Sequence, residues 1–304
     1  MDISSMLEWG NGLPQPNWDL ANAWVASGCG DDPKGAWTEF AKAWLWEVAD
    51  ALGSEYAVGE SSGFVMLCGG PAAADASLLG KAESYRRDLL VGLGDVVRFI
   101  GPGKQLVMAF HRAEDYGRYV RECFGEGEED CMSAGMHLRD DYPRIVLWGD
   151  TVEAMGRTLA HELTHAGLYH AMMPRWLEEG LALVAGRAAS GELLRISHET
   201  ASLHRAFWSE TGLDAFWNGG GFSGNSRARG MCYELAHILV QPLVEDHRPR
   251  WFGLSRRHHR AFMAFLREAA EFDGGDSACI EHLGLSLGDL AARFLGPGNW
   301  SREP

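Results

Sequence analysis

The chain is poor in positive charge and in cysteine, and it has no long apolar run. Of its 304 residues 27 are Lys or Arg and 42 are Asp or Glu, a formal net charge of −15. That sign opposes binding to phosphate backbones and anionic headgroups, so neither nucleic acid nor a membrane is an expected partner. No stretch approaches the eighteen or so apolar residues that a membrane span requires. The opening MDISSMLEWGNGLPQPNWDL has neither a basic start nor a continuous apolar segment, so the expected location is the cytoplasm. The six cysteines, Cys29, Cys68, Cys123, Cys131, Cys232 and Cys279, form no C-x-x-C pair and read as reduced thiols. Cys123 and Cys131 flank an acidic loop that a disulfide could close in an oxidising compartment. Internal repeats and low-complexity segments are absent from the sequence.

What the chain does have is apolar material: 46% hydrophobic residues and 12 tryptophans, enough for one sizeable core or two modest ones. Turn formers in GNGLPQP and GCGDDPKG mark residues 1–55 as a mostly helical N-terminal extension, with helical spacing over 37–52. FVMLC (64–68), QLVMAF (105–110) and RIVLW (144–148) read as short buried strands, with a helix expected over AEDYGRYVREC between the last two. After residue 150 the pattern is helical nearly throughout. Strands in the first half and helices in the second predict an α+β fold, with a subdomain over 56–185 and a helical C-terminal lobe over 186–304.

The segment DTVEAMGRTLAHELTHAGLYHAMM reads as a helix capped by Asp150 or Thr151 and stopping before Pro174. His161 and His165 then lie one turn apart on one face, where both imidazoles can reach a single ion. Glu162 projects beside them, placed to accept a proton from water. A hydrolytic zinc site needs three protein ligands. Downstream, MPRWLEEGLALVAG supplies a second helix with paired acids in its first turn, and a helix-loop-helix reversal would return a carboxylate to the metal.

HELTH followed by PRWLEEGLA resembles the gluzincin metallopeptidases, in particular the peptidase MA-like group, whose second helix carries W-L-x-E-G-x-A. The resemblance implies Zn2+ held by His161, His165 and Glu179, with Glu178 the rival for the third position, and Glu162 as general base. It implies a zincin-like fold with a small mixed sheet, and it extends as weaker pattern over residues 56–296. KQLVMAFHRAEDYGRYV and SAGMHLRDDYPRIVLWGD look like the strand-helix-strand elements before the zinc helix, the last strand being the edge along which an extended peptide pairs. The activity implied is cleavage of a peptide or protein substrate.

An oxyanion formed in that reaction needs a donor besides the metal. In gluzincins a Tyr or His of a later helix serves, which points to Tyr233 and His237, four apart in NSRARGMCYELAHILVQPL. In some related patterns the Tyr stands just before that helix, where this chain has Arg227 or Arg229, either of which can act as a cationic donor. His170 falls on a different face from His165, RRHHR (256–260) reads as a solvated basic face, Trp176 as core, and FWNGGGFSGNS (216–226) as a flexible wall of the cleft. Two other readings remain open: a zinc-dependent hydrolase of a non-peptide amide, and a catalytically silent binding module of the same fold.

Overall fold

The computed structural model of the chain describes residues 3–10, 12–28, 32–70, 72–124, 133–192, 194–246 and 254–302. It is a mixed α and β structure that divides into two compact units, Met1–Asp88 with Phe99–Ala166, and Leu89–Arg98 with Gly167–Pro304.

The first unit begins with a hairpin, β1 (Leu7–Gly10) and β2 (Leu13–Pro16), then α1 (Trp18–Gly28) and α2 (Pro33–Leu52). The start of α2 is set locally, with Pro33 in the first turn and the Asp32 side chain accepting from the Gly35 N–H. There follow β3 (Tyr56–Glu60), β4 (Phe64–Gly69), α3 (Ala72–Leu93), β5 (Gln105–Phe110), α4 (Ala113–Phe124), β6 (Gly135–Leu138), β7 (Arg144–Trp148) and α5 (Val152–Leu168). The five strands β3 to β7 form one sheet in the order β3-β4-β5-β7-β6, with β4, β5 and β7 parallel and the outer strands β3 and β6 antiparallel to their neighbours.

The three parallel strands are buried on both faces, which is why they read as unbroken apolar runs in the sequence. On one face Leu67, Met108, Phe110 and Val146 share a core with Phe40, Trp44 and Val48 of α2 and with Tyr116 and Tyr119 of α4. Residues 1–55 therefore supply part of the core that covers the sheet. Arg144, 3% exposed, is kept inside this packing by an ion pair to Asp140, a 2.7 Å hydrogen bond to Tyr119 Oη and the Trp44 ring 5.7 Å away.

One expectation is corrected. RIVLW is not the edge strand: β7 sits between β5 and β6, and β6, whose sequence is GMHL, forms the edge. Four residues that begin with glycine carry too little pattern to register as a strand, and β6 exists through its antiparallel pairing from Gly135↔Leu147 to Leu138↔Arg144.

The second unit is helical: α6 (Arg175–Ser190), α7 (His198–Thr211), α8 (Asp214–Trp217), α9 (Ser226–Asp246), α10 (Leu254–Glu268), α11 (Asp276–Ala278) and α12 (Leu287–Leu295). Trp176 and Trp217, both essentially unexposed, meet edge to face at 5.3 Å, and their indole N–H groups donate to Gly274 O and Trp300 O. Helices α6 and α9 approach closely at Gly180, where a Cβ would lie 2.4 Å from Val240 Cγ2 and 2.8 Å from Ala236 O. No helix among the described residues is long and apolar enough to cross a membrane.

Candidate metal centre

Helix α5 starts as the sequence predicts, with Thr151 Oγ1 accepting from the Ala154 N–H. It ends at Leu168, five residues short of the proline-limited end, and is followed by a 3-10 turn and by Met172, whose left-handed φ of 45° turns the chain. His161 and His165 stand one turn apart on α5 with their Nε2 atoms 3.1 Å apart. Two ligands of one tetrahedral zinc with bonds near 2.0–2.1 Å are separated by about 3.3 Å, so the spacing suits a shared ion.

Glu162 is 7% exposed. Beside it runs the edge strand: a Cβ placed on Gly135 would come within 2.5 Å of Thr158 Cγ2 and 3.1 Å of Glu162 Cγ. Only glycine at that position lets β6 lie directly against the face of α5 that carries the carboxylate.

In α6 the buried Glu179 is held through one oxygen. Tyr233 Oη, from α9, donates to Glu179 Oε1 at 3.3 Å, and Arg175 Nε, one turn earlier on α6, forms an ion pair with the same oxygen at 3.6 Å. Arg175 in turn donates to Ser223 Oγ at 3.1 Å and lies 5.4 Å over the Phe222 ring, against which Tyr233 also packs edge to face at 5.2 Å. The glycine-rich segment 216–226 is thus a buttress for both partners of Glu179. Its tightness is visible at Gly221, where a Cβ would meet Cys232 Sγ at 2.5 Å. Burial first, then the Glu179 charge, pushes the Tyr233 phenol up to about 12, so it remains a hydrogen-bond donor across the neutral range.

His161, His165 and Glu179 are residue types that could together hold a metal ion, each offering one ligand atom. Glu178, the rival third ligand, is not a member of that group. Two imidazole nitrogens and one carboxylate oxygen match the donor preference of Zn2+ and are a poor match for Mg2+ or Ca2+, which favour oxygen. A second group, Glu268, Glu281 and His282, also brings its ligand atoms together, but its two acids are exposed and His282 already bonds Glu268 at 2.8 Å.

The remaining sequence candidates are placed as follows. His237 is buried, and its Nε2 lies 3.0 Å from Gln241 Oε1, one turn further along α9. Arg229 and Arg227 are exposed, the latter over the Phe207 ring at 5.5 Å. His170 lies in the 3-10 turn after α5 and is absent from the metal group. Trp176 is core, as its sequence context suggests. The side chains of Arg256 and Arg257 in RRHHR lie outside the described residues, as does Cys131, while Cys123 carries a free thiol.

Sequence reasoning missed Arg175, Phe222 and Gly135. Arg175 had a usable signal, because an Arg four residues before a Glu on a helix faces it. Phe222 and Gly135 act through contacts distant in sequence and had none. Comparison with known protein families, with curated proteins and with solved structures finds no match for this chain.

Proposed function

We propose that the chain is a zinc-dependent metallopeptidase of gluzincin type, with His161, His165 and Glu179 as metal ligands. The observation that carries this reading is the pair of imidazole Nε2 atoms 3.1 Å apart, with the buried Glu162 between them in sequence. The two rings meet edge to face at 4.8 Å, a spacing that either a shared ion or a hydrogen bond between the rings would set. The mixed sheet with its antiparallel edge strand supports a zincin-like fold for the first unit.

When bound, zinc would supply a Lewis acid that lowers the pKa of water and polarises the scissile carbonyl. Glu162 accepts the proton of the attacking water and passes it to the leaving amine. Tyr233 and Arg175 fix the Glu179 carboxylate in one orientation, the outer-shell support that ligating groups commonly need. Among the described residues the edge strand β6 has a single sheet partner, β7, so its other side offers backbone groups to which an extended peptide can add as a further strand. Gly135 brings that strand against Glu162, so a paired peptide would lie beside the proposed general base.

The test is a Glu162→Gln protein assayed on a diverse peptide library, with its zinc content measured in parallel. The reading expects zinc retained and cleavage reduced by about 100-fold or more, the order that loss of a general base costs. Equal cleavage by variant and parent would remove Glu162 from the mechanism.

A further inference from the structure

We propose that α7 is fastened to the rest of the second unit by a proton-sensitive latch, in which one proton taken up at His204 releases the helix while α6 and α9 stay folded. Only two side chains of α7 are buried, His204 and Trp208, one turn apart on its inner face. The other residues of the helix are exposed or half-buried. These two anchors are also the two ends of one hydrogen bond, so a change that breaks it acts on the whole inner face at once.

That bond admits one protonation state. The Trp208 indole N–H can only donate, and it takes His204 Nδ1 as its acceptor at 3.1 Å. His204 is therefore a neutral imidazole with its proton on Nε2, which donates to Glu234 Oε2 on α9 at 3.1 Å. A second proton has only Nδ1 to occupy. It would set two N–H donors against each other where His204 is 0% and Trp208 3% exposed, and each would lose the partner that burial demands.

The surroundings do not offset that cost. Helix α12 presents the Phe294 ring at 5.5 Å, and Arg205 of α7 donates to Leu295 O instead of facing the imidazole. Glu234 is the one charged group among the described residues that acts on His204. It favours the imidazolium, but its carboxylate is half-exposed and burial outweighs it, so the ring of the closed latch stays neutral below the usual histidine range. Besides the Arg205 bond, α7 is tied by Phe207, which lies under the Arg227 guanidinium at 5.5 Å.

Trp208 packs on Phe216 at 5.9 Å, Phe216 stacks on Phe222 at 5.8 Å, and Phe222 touches both Arg175 and Tyr233, the two partners of Glu179. Two rings thus separate the latch from Tyr233. On the metallopeptidase reading, release of α7 loosens the support of a metal ligand in acid; the latch itself needs no metal.

The test is hydrogen exchange of the metal-free full chain, followed by peptide mass and corrected for the intrinsic rate, from about pH 7.5 to about pH 5. A helix of 14 residues detached from its packing surface is marginal in water, so release is read as lost protection of the α7 amides. Their protection should be level above about pH 7 and fall by up to about tenfold per pH unit below about 6.5, where the released His204 takes up its proton. Helices α6 and α9 should remain protected. His204→Gln should abolish the fall, and Trp208→Phe, which removes the opposing N–H and keeps an aromatic ring, should make it shallower. Loss of protection in α7 and α9 together, α7 protection independent of pH, or a fall as deep as the parent's in Trp208→Phe would each overturn the proposal. With no metal present, its failure leaves the metallopeptidase reading untouched.

Discussion

The hydroxyl of Tyr233 donates to Oε1 of Glu179 at 3.3 Å, joining α9 to the third candidate ligand on α6. In the proposed site that contact would give Tyr233 a positioning role. Gly180 lets α9 approach α6 closely enough for the bond to form.

Tyr233→Phe removes only the hydroxyl. It should weaken zinc binding by about tenfold, the lower end of what losing an outer-shell partner costs. Competition against a chromophoric chelator measures this, and an unchanged affinity would return Tyr233 to the role of an ordinary half-buried tyrosine.

Gly180→Ala places a methyl group 2.4 Å from Val240 Cγ2 and 2.8 Å from a backbone carbonyl. Overpacking of this kind costs about 1–3 kcal/mol. The melting temperature should fall by several degrees and zinc affinity should fall with it; a variant as stable as the parent would mean that α6 and α9 can separate without penalty.

Gly135→Ala tests the other side of the site. Its methyl group would displace Thr158 or Glu162 and push β6 away from α5. Peptide cleavage should drop with zinc content intact, which distinguishes it from a ligand substitution. Cleavage at the parental rate would separate the edge strand from the reaction.

Acidification should destabilise the fold through buried histidines. His204 is unexposed, and its Nδ1 accepts from Trp208 Nε1 at 3.1 Å, which leaves Nε2–H to donate to Glu234. Burial lowers its pKa, with the Glu234 hydrogen bond and charge only partly offsetting it, and burial lowers that of His237 too. The unfolded chain thus takes up protons that the folded one refuses, so this stability is present above about pH 6.5 and is lost as pH falls through that value. Each group contributes a slope of up to about 1.4 kcal/mol per pH unit. Urea midpoints should decline between pH 7.5 and 5.5, and less steeply in His204→Gln; parallel declines would exclude His204 as a source.

The parallel strands and α5 were legible in the sequence because their signals are local: unbroken apolar runs for β4, β5 and β7, and the threonine cap and four-residue histidine spacing for α5. β3 was hidden by Gly59 in a half-exposed strand, and the β1–β2 hairpin by the two prolines, Pro14 and Pro16, that it carries in β2. The buttress of Glu179 was hidden for another reason. Phe222 is 43 residues from Glu179, and a glycine-rich stretch without helical or strand period suggests mobility until Cys232 and Arg175 are seen to fill the space around it.

Elemental mass spectrometry of the purified chain beside a Glu179→Ala variant prepared identically tests the metal centre most directly. The account predicts about one zinc per chain in the parent and its loss in the variant. A parent that binds no zinc even when zinc is supplied would contradict the site and, with it, the metallopeptidase function.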